Sequence, residues 1–168
     1  MNSEHALEAI KLLRNRLPSN IHIGAGTVTT VKQVRLAAEM GATYIISPNT
    51  NTKIIRTTKE LGLVSIPGAF TPTEIELAWK TGADMVKVFP INIVGHQYIT
   101  QIRGPLNQIP LMPSGGITLD MAENLFKAGA SAIGVGVHLL GKEYVDTINR
   151  EGLQASARKL IQASSVSN

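Results

Sequence analysis

The sequence predicts an α/β fold of the (β/α)8 barrel type, because short apolar segments and helical segments alternate along its 168 residues. Six aliphatic runs begin at Ile21, Thr43, Leu63, Met85, Ile109 and Ala132, at intervals of 22, 20, 22, 24 and 23 residues. The runs are apolar without strict alternation, which is typical of strands covered on both faces. Such even spacing of equivalent strand–helix units favours a closed barrel.

The segments between the runs have the spacing of helices. We expect helices over 30–40, 52–61, 72–80, 96–103 and 119–128, an opening helix over 3–17 and a closing helix over 149–163. Four of the helices are followed by a glycine, which is the usual left-handed helix stop: Gly41, Gly62, Gly82 and Gly129. Residues 164–168 are predicted to be a frayed tail.

An open, doubly wound sheet is the alternative arrangement of such units. Its dinucleotide-binding form needs a GxGxxG turn, but Gly24-Ala25-Gly26 and Gly134-Val135-Gly136 both lack the third glycine. Only six units are visible, and two more of about 22 residues each would bring the chain to the lower end of the barrel size range. We therefore predict a single, incomplete domain over 1–168 with about six of the eight βα units of a TIM barrel.

Composition excludes several classes of function. The absence of cysteine rules out a disulfide framework and a thiolate nucleophile, and it fits a cytoplasmic protein. The four histidines share no metal-ligand spacing, so we predict no metal site. A net charge of +4 suits an anionic ligand, but the basic residues are scattered, so no nucleic-acid partner is expected. No apolar run approaches the roughly 18 residues of a membrane helix, so no membrane partner is expected.

Lys87 is the outlier of the fourth run, because it stands between two valines in an apolar strand. A solvent-facing lysine on an edge strand is the ordinary explanation, but a closed barrel has no solvent-facing strand face. Alternation would place Met85, Lys87 and Phe89 together on the core-facing side. Burial lowers the pKa of a lysine, and the neutral amine can attack a ketone carbonyl. Lys87 is therefore the predicted nucleophile.

Glycines at the ends of the last two runs predict an anion site. Ser114-Gly115-Gly116 leads into a helix, and Gly134-Val135-Gly136 ends the final run. The loops after the seventh and eighth strands of barrels often hold phosphate through backbone N–H groups. Either glycine pair alone could make a tight turn, but together they indicate phosphate or carboxylate binding. Thr27 and Pro48 end two earlier strands and could line the pocket or simply form turns.

In order and spacing, several motifs resemble the 2-keto-3-deoxy-6-phosphogluconate (KDPG) aldolases, the family that also handles 4-hydroxy-2-oxoglutarate (KHG). The resemblance covers essentially the whole chain, and the Lys-x-Phe-Pro strand is its most specific motif. The matching segments are Gly24-Ala25-Gly26-Thr27-Val28, Ile46-Ser47-Pro48, Pro67-Gly68 with Thr71-Pro72-Thr73-Glu74, Lys87-Val88-Phe89-Pro90 and Ser114-Gly115-Gly116-Ile117.

The resemblance implies a class I aldolase, a lyase that cleaves KDPG or KHG to pyruvate and an aldehyde without a cofactor. Lys87 would be the Schiff-base lysine, and Phe89 would pack beside the pyruvyl group. Thr27 and Pro48 would line the same pocket, and Ser114 would contact the substrate carboxylate. The family resemblance also implies a homotrimer.

Two features depart from the family pattern. Where the family commonly has a phosphate-binding serine, this chain has Val137. Phosphate would then be bound through backbone N–H groups alone, those of Gly115, Gly116, Gly136 and Val137. The family's acid/base Glu lies on a strand that would precede Met1. We therefore expect these 168 residues to be a shortened form that makes the imine but cleaves poorly.

Two other functions are open at this point. One is a non-catalytic barrel remnant that binds phosphate or keto acids. The other is a different phosphate-binding barrel enzyme, an isomerase or synthase, that uses the same glycine loops. Borohydride trapping with pyruvate separates them, since only an aldolase predicts a reduced adduct on Lys87.

Overall fold

The computed structural model describes residues 1–136, 139, 141, 144, 146, 147 and 149–164. By its internal packing the chain forms two compact units, Met1–Lys87 and Val88–Asn168. In the described part of the chain, no helix is both long and apolar enough to cross a bilayer.

The first unit alternates helices with short strands. Its elements are α1 (Ala6–Arg16), β1 (Gly24–Ala25), α2 (Val31–Glu39), β2 (Tyr44–Ile46), α3 (Thr52–Glu60), β3 (Val64–Ile66), β4 (Gly68–Ala69), α4 (Pro72–Lys80) and the beginning of β5 (Val86–Val88). Strands β1, β2 and β3 form a parallel sheet in that order, in which Tyr44 pairs with both Gly24 and Val64. These parallel strands with helices between them confirm the predicted α/β class.

Side-chain caps explain where three of these helices begin. Thr30 and Thr71 each accept the backbone N–H three residues on, and the side chains of Gln33 and Glu74 accept the cap N–H in return. Asn51 caps α3, because its side-chain oxygen accepts the backbone N–H groups of Lys53 and Ile54. Because caps are local sequence signals, the observed starts agree with the predicted ones to within one residue.

Glycines end four helices as predicted. Each adopts a left-handed conformation that side chains disfavour, with φ values of 92° at Gly41, 71° at Gly62, 107° at Gly82 and 95° at Gly129. The chain reverses at these residues and enters the next apolar run.

The third apolar run forms two strands, not one. Pro67 has no N–H, and it separates β3 from β4. Before the proline, the N–H of Ser47 donates to the carbonyl of Ile66 at 3.3 Å, so the run still pairs with the end of β2. At the proline itself, the carbonyl accepts the N–H of Lys87 at 2.8 Å. The run therefore changes its partner from β2 to β5 at Pro67.

The core of the first unit is built from aliphatic side chains of the strands and of the inner helix faces. Its fully buried members are Val28, Val34, Ile45, Ile54, Ile55 and Ile75. Ile10 joins this core from α1, whose other large apolar residues are partly exposed.

The second unit begins within β5. It continues with a short 3-10 helix (Ile91–Ile93), α5 (Gly95–Arg103), β6 (Leu111–Pro113), α6 (Leu119–Lys127) and α7 (Arg150–Ser164). Helix α6 packs against α5 and α7. Ser164 is the last residue of α7, and 165–168 of the predicted tail lie outside the described residues.

The sixth apolar run pairs at a single position in its described part. Gly134 of this run forms an isolated parallel bridge with Ser114 of the fifth run. The N–H of Ser114 in turn donates to the carbonyl of Val88 in the fourth run at 2.9 Å. The ends of the fifth and sixth runs are therefore neighbours, as the sequence predicted.

Glu74→Gln tests the cap of α4. The carboxylate accepts the N–H groups of Phe70 and Thr71 at 2.9 and 2.8 Å and the Thr71 hydroxyl at 2.9 Å. These bonds hold the pKa of Glu74 below its usual range. Because its pKa is lower in the folded chain, the stabilisation is complete above the unfolded value and is lost as pH falls through the folded value.

We expect Glu74→Gln to lower the free energy of unfolding by about 0.5 kcal/mol at neutral pH, measured by urea denaturation. The difference from the unmodified chain should begin to shrink below the unfolded pKa of about 4.3 and should vanish only below the lower, folded pKa. Glu60→Gln, which changes an exposed carboxylate of α3, corrects for the loss of one carboxylate. A difference that stays constant with pH contradicts this account of the cap.

Candidate active site

Lys87 lies at the centre of β5, and strand alternation gives it a different environment from its neighbours. Val86 and Val88 are fully buried, whereas the lysine is half-buried. Burial lowers the pKa of the Lys87 amine below its usual range. The direction of the pKa shift agrees with the one predicted from the strand pattern, and the side chain is half-buried and not enclosed in the core.

Thr27 follows β1 and has a left-handed backbone conformation. Its φ of 55° is rare for a β-branched residue, and its side chain is exposed. Such strain costs about 1–3 kcal/mol and tends to occur at functional sites. This conformation distinguishes Thr27 from an ordinary turn residue.

Pro48 lies in a turn after β2 that hydroxyl groups hold in place. The Ser47 hydroxyl, which is buried, donates to the carbonyl of Asn49 at 3.0 Å. The Thr50 hydroxyl donates to the carbonyl of Gly68 at 2.8 Å. Gly68 packs so closely that a Cβ there would overlap the Pro48 carbonyl group. The turn is therefore held directly against β4.

The second unit contains a cavity of about 210 Å³ where the two glycine turns meet. It is lined by Ser114, Gly115, Gly116, Ile117, Gly134, Val135, Gly136 and Leu139. The structure therefore brings together four of the predicted anion-binding residues, Ser114, Gly115, Gly116 and Gly136. Val137 lies outside the described residues.

Main-chain geometry determines the shape of this cavity. Gly115 and Gly116 have left-handed φ values of 98° and 64°. A Cβ on Gly134 would lie 2.8 Å from the Ser114 hydroxyl oxygen, and one on Gly116 would lie 2.7 Å from Asn92 Cγ. A larger residue at either position would have to displace the side chain of Ser114 or Asn92, and at Gly116 the left-handed φ adds to the cost.

The segment after β5 covers the Ser114–Gly116 turn. The N–H of Ile91 donates to the carbonyl of Ser114 at 2.9 Å, and that of Asn92 donates to Gly115 at 3.2 Å. Phe89, 37% exposed, lies against Gly115, where a Cβ would come within 3.0 Å of its ring. Asn92 was missed by sequence reasoning, and the only signal was its place just after the Lys-x-Phe-Pro motif.

The described lining of the cavity consists of glycine, one serine and aliphatic residues. Of its described lining residues, none is charged. Thr118 caps α6 immediately after the first glycine turn by accepting the N–H of Met121 at 3.3 Å. Helix α6 therefore begins directly after this turn, and the start of a helix is a general feature of phosphate and carboxylate sites.

The predicted site residues are divided between the two units. Thr27, Pro48 and Lys87 belong to the first, whereas Phe89 and the residues of the anion cavity belong to the second. The described residues thus combine a parallel α/β fold, a half-buried strand lysine and a glycine-lined cavity, which define a protein of the α/β class with two candidate parts of a site.

Comparison with known proteins identifies the family to which the chain belongs. The family model described as KDPG and KHG aldolase matches residues 1–155, so the chain belongs to this aldolase family.

Individual relatives agree with this assignment. The 2-dehydro-3-deoxy-phosphogluconate aldolase of Haemophilus influenzae is 41% identical over 118 residues, which cover 70% of this chain and 55% of that protein. The 2-dehydro-3-deoxy-6-phosphogalactonate aldolase of Escherichia coli K12 is 31% identical over 158 residues, 94% of this chain and 76% of that protein. The chain thus spans about half the length of the Haemophilus protein.

A solved structure shares the fold over the whole chain. The KDPG aldolase of Legionella pneumophila, crystallised with pyruvate captured at low pH as a covalent carbinolamine intermediate, superposes with a TM-score of 0.84. The two sequences are 25% identical, and the match covers 100% of this chain and 79% of the Legionella chain.

Gly134→Ala tests whether the cavity binds anions. The added methyl group would force the Ser114 hydroxyl or the bridge to move, because only 2.8 Å is available. We expect the Kd for 3-phosphoglycerate, measured by isothermal titration calorimetry, to rise by about tenfold, equivalent to about 1.4 kcal/mol.

Gly26→Ala is the matched control, since no atom lies within 4 Å of its Cβ position and its φ is not left-handed. Its affinity for 3-phosphoglycerate should equal that of the unmodified chain. Equal affinities for Gly134→Ala and Gly26→Ala, or no binding by the unmodified chain, would show that this cavity is not the anion site.

Proposed function

We propose that the chain carries the Schiff-base and substrate-binding residues of a class I aldolase that cleaves KDPG, KHG or both to pyruvate and an aldehyde. The observation that carries the proposal is Lys87, a half-buried lysine with a lowered pKa in the most specific motif of the family. The carbinolamine captured in the Legionella relative supports this chemistry.

The reaction begins with attack of the Lys87 Nζ on the C2 ketone of the substrate. The carbinolamine loses water to give an iminium ion, which withdraws electrons from the C3–C4 bond. This bond breaks as the C4 hydroxyl loses its proton, and the aldehyde leaves an enamine. Protonation at C3 and hydrolysis release pyruvate and the free amine. Only the neutral amine can attack, so a lowered pKa raises the reactive fraction near neutral pH.

Separate groups bind the two ends of the substrate. Phe89 packs beside the pyruvyl group, and Thr27 and Pro48 line its pocket. The strained backbone of Thr27 and the hydroxyl-bonded turn of Pro48 support these roles.

The second unit binds the anionic groups. The Ser114 hydroxyl contacts the substrate carboxylate, and the N–H groups of Gly115, Gly116, Gly136 and Val137 bind phosphate. The glycine-lined cavity supports this assignment for its described members.

The fold proposed for the complete enzyme is a single (β/α)8 domain, of which these residues supply about six units. The even spacing of the strands supports it, as does the 79% coverage of the Legionella chain. By resemblance, the enzyme is a cytoplasmic homotrimer. No particular observation favours a non-catalytic remnant or a different isomerase or synthase.

Lys87→Met is the direct test of the Schiff base. Incubation with pyruvate and borohydride should give the reduced adduct on the unmodified chain, located at Lys87 by peptide mass spectrometry. Lys87→Met should give none, whereas Lys53→Met, which changes an exposed lysine of α3, should react normally.

The rate of trapping should also depend on pH. Because the pKa of Lys87 is lowered, the rate should rise with pH and level off below the pH at which an exposed lysine becomes neutral. An unmodified chain that gives no adduct refutes the proposed function.

The activity of these residues alone is a second part of the proposal. By resemblance, the acid/base Glu belongs to a strand that the 168 residues do not contain. A positioned acid/base contributes about 10²–10⁴-fold to rate. A version extended by the two N-terminal strands of the family should therefore release pyruvate faster by about this factor, in a coupled lactate dehydrogenase assay.

Adduct formation should differ much less between the two versions, because imine formation depends on Lys87. The extended version with Gln in place of its acid/base Glu is the control and should be as slow as the short one. Equal turnover by the short and extended versions is the result that rules out impaired cleavage.

A further inference from the structure

The hydrogen-bond ladder that leads to Lys87 is interrupted at Pro67. Strands β2 and β3 pair as far as Ile46 and Ile66, and the last bond of this ladder goes from Ser47 to Ile66. Beyond the proline, within the described residues, no backbone hydrogen bond joins β4 to the turn after β2. The ladder advances by two residues, so its next bond would run from the Asn49 N–H to the Gly68 carbonyl, and the described residues do not form it.

The hydroxyl of Thr50 takes the place of the missing backbone donor. It donates to the carbonyl of Gly68 at 2.8 Å and lies 3.4 Å from the carbonyl of Glu74 in α4. Gly68 has no space for a side chain, because the Pro48 carbonyl occupies it. The turn and β4 are therefore joined by backbone packing and by one side-chain hydroxyl.

The same two-residue segment also holds the strand of the lysine. The carbonyl of Pro67 accepts the N–H of Lys87 at 2.8 Å, and the next carbonyl, that of Gly68, accepts the Thr50 hydroxyl. The segment is thus bonded to β5 on one side and to the Pro48 turn on the other. Loss of the Thr50 bond would leave it bonded on one side only.

We propose that Thr50 is a positioning residue for Lys87, whose hydroxyl fixes the Pro67–Gly68 segment and so sets both β5 and the Pro48 turn. Thr50 does not touch the reacting atoms and acts through the backbone. The inference rests on the proposed function, since the reaction of Lys87 with pyruvate is its readout.

The test compares Thr50→Val, which keeps the shape but removes the hydroxyl, with Thr50→Ser, which keeps the hydroxyl. Two quantities are measured by borohydride trapping: the limiting rate and the pyruvate concentration that gives half of it. For Thr50→Val we expect a limiting rate about tenfold lower and a half-saturating pyruvate concentration about threefold higher, because small displacements of reacting groups are costly. Thr50→Ser should restore both to within about twofold of the unmodified chain.

Thr58→Val is the control for general loss of stability. Its hydroxyl is buried and donates to the carbonyl of Ile54 in α3 at 2.8 Å, so a bond of the same length is lost elsewhere in the first unit. This variant should unfold at a lower temperature but trap pyruvate normally. Thr50→Ala replaces Thr50→Val if circular dichroism shows that the latter does not fold, with the same expectation.

The outcomes separate this inference from the proposed function. No adduct on the unmodified chain refutes the aldolase proposal itself. An adduct on the unmodified chain with unchanged kinetics in Thr50→Val overturns the role of Thr50 alone. Equal slowing in Thr50→Ser, or in Thr58→Val, also overturns it, because the effect would then not depend on the Thr50 hydroxyl.

Discussion

Partial removal of the Lys87 amine from water is the constraint on which the proposed chemistry of the first unit depends. The strand buries a valine on either side of the lysine, and alternation leaves the amine half-buried on the other face. Each pKa unit of lowering corresponds to about 1.4 kcal/mol against the ammonium and makes the neutral amine about tenfold more abundant. Complete exposure would abolish this gain, and complete burial would exclude the substrate.

Both parts of the candidate site are built mainly from backbone. In the first unit, the carbonyls of Pro67 and Gly68 hold the lysine strand and the adjacent turn. In the second, two glycine turns line a cavity whose described lining has no charged side chain. The net charge of +4 is therefore uninformative about the site, although it is compatible with an anionic ligand.

Local signals account for what the sequence could predict. Helix α4 begins at the Thr71 cap and is followed by Gly82, and both features are readable within a few residues. The bond of Thr50 joins residues that are 18 apart, and no local pattern reports it. The place of Asn92 beside Gly116 likewise depends on how two strand ends meet. Periodicity finds the strands but not the side chains that connect them.

The backbone anion site proposed for this cavity has a consequence for specificity. Main-chain N–H groups recognise negative charge and hydrogen-bonding oxygens, which a phosphate and a carboxylate both offer. Selection between substrates must then come from the side chains around the cavity. Of its described lining residues, Ser114 is the one with a side-chain hydroxyl, and the others are glycine or aliphatic. Anion binding can therefore persist while these few side chains vary, which fits a family whose members are named for different sugar-acid phosphates.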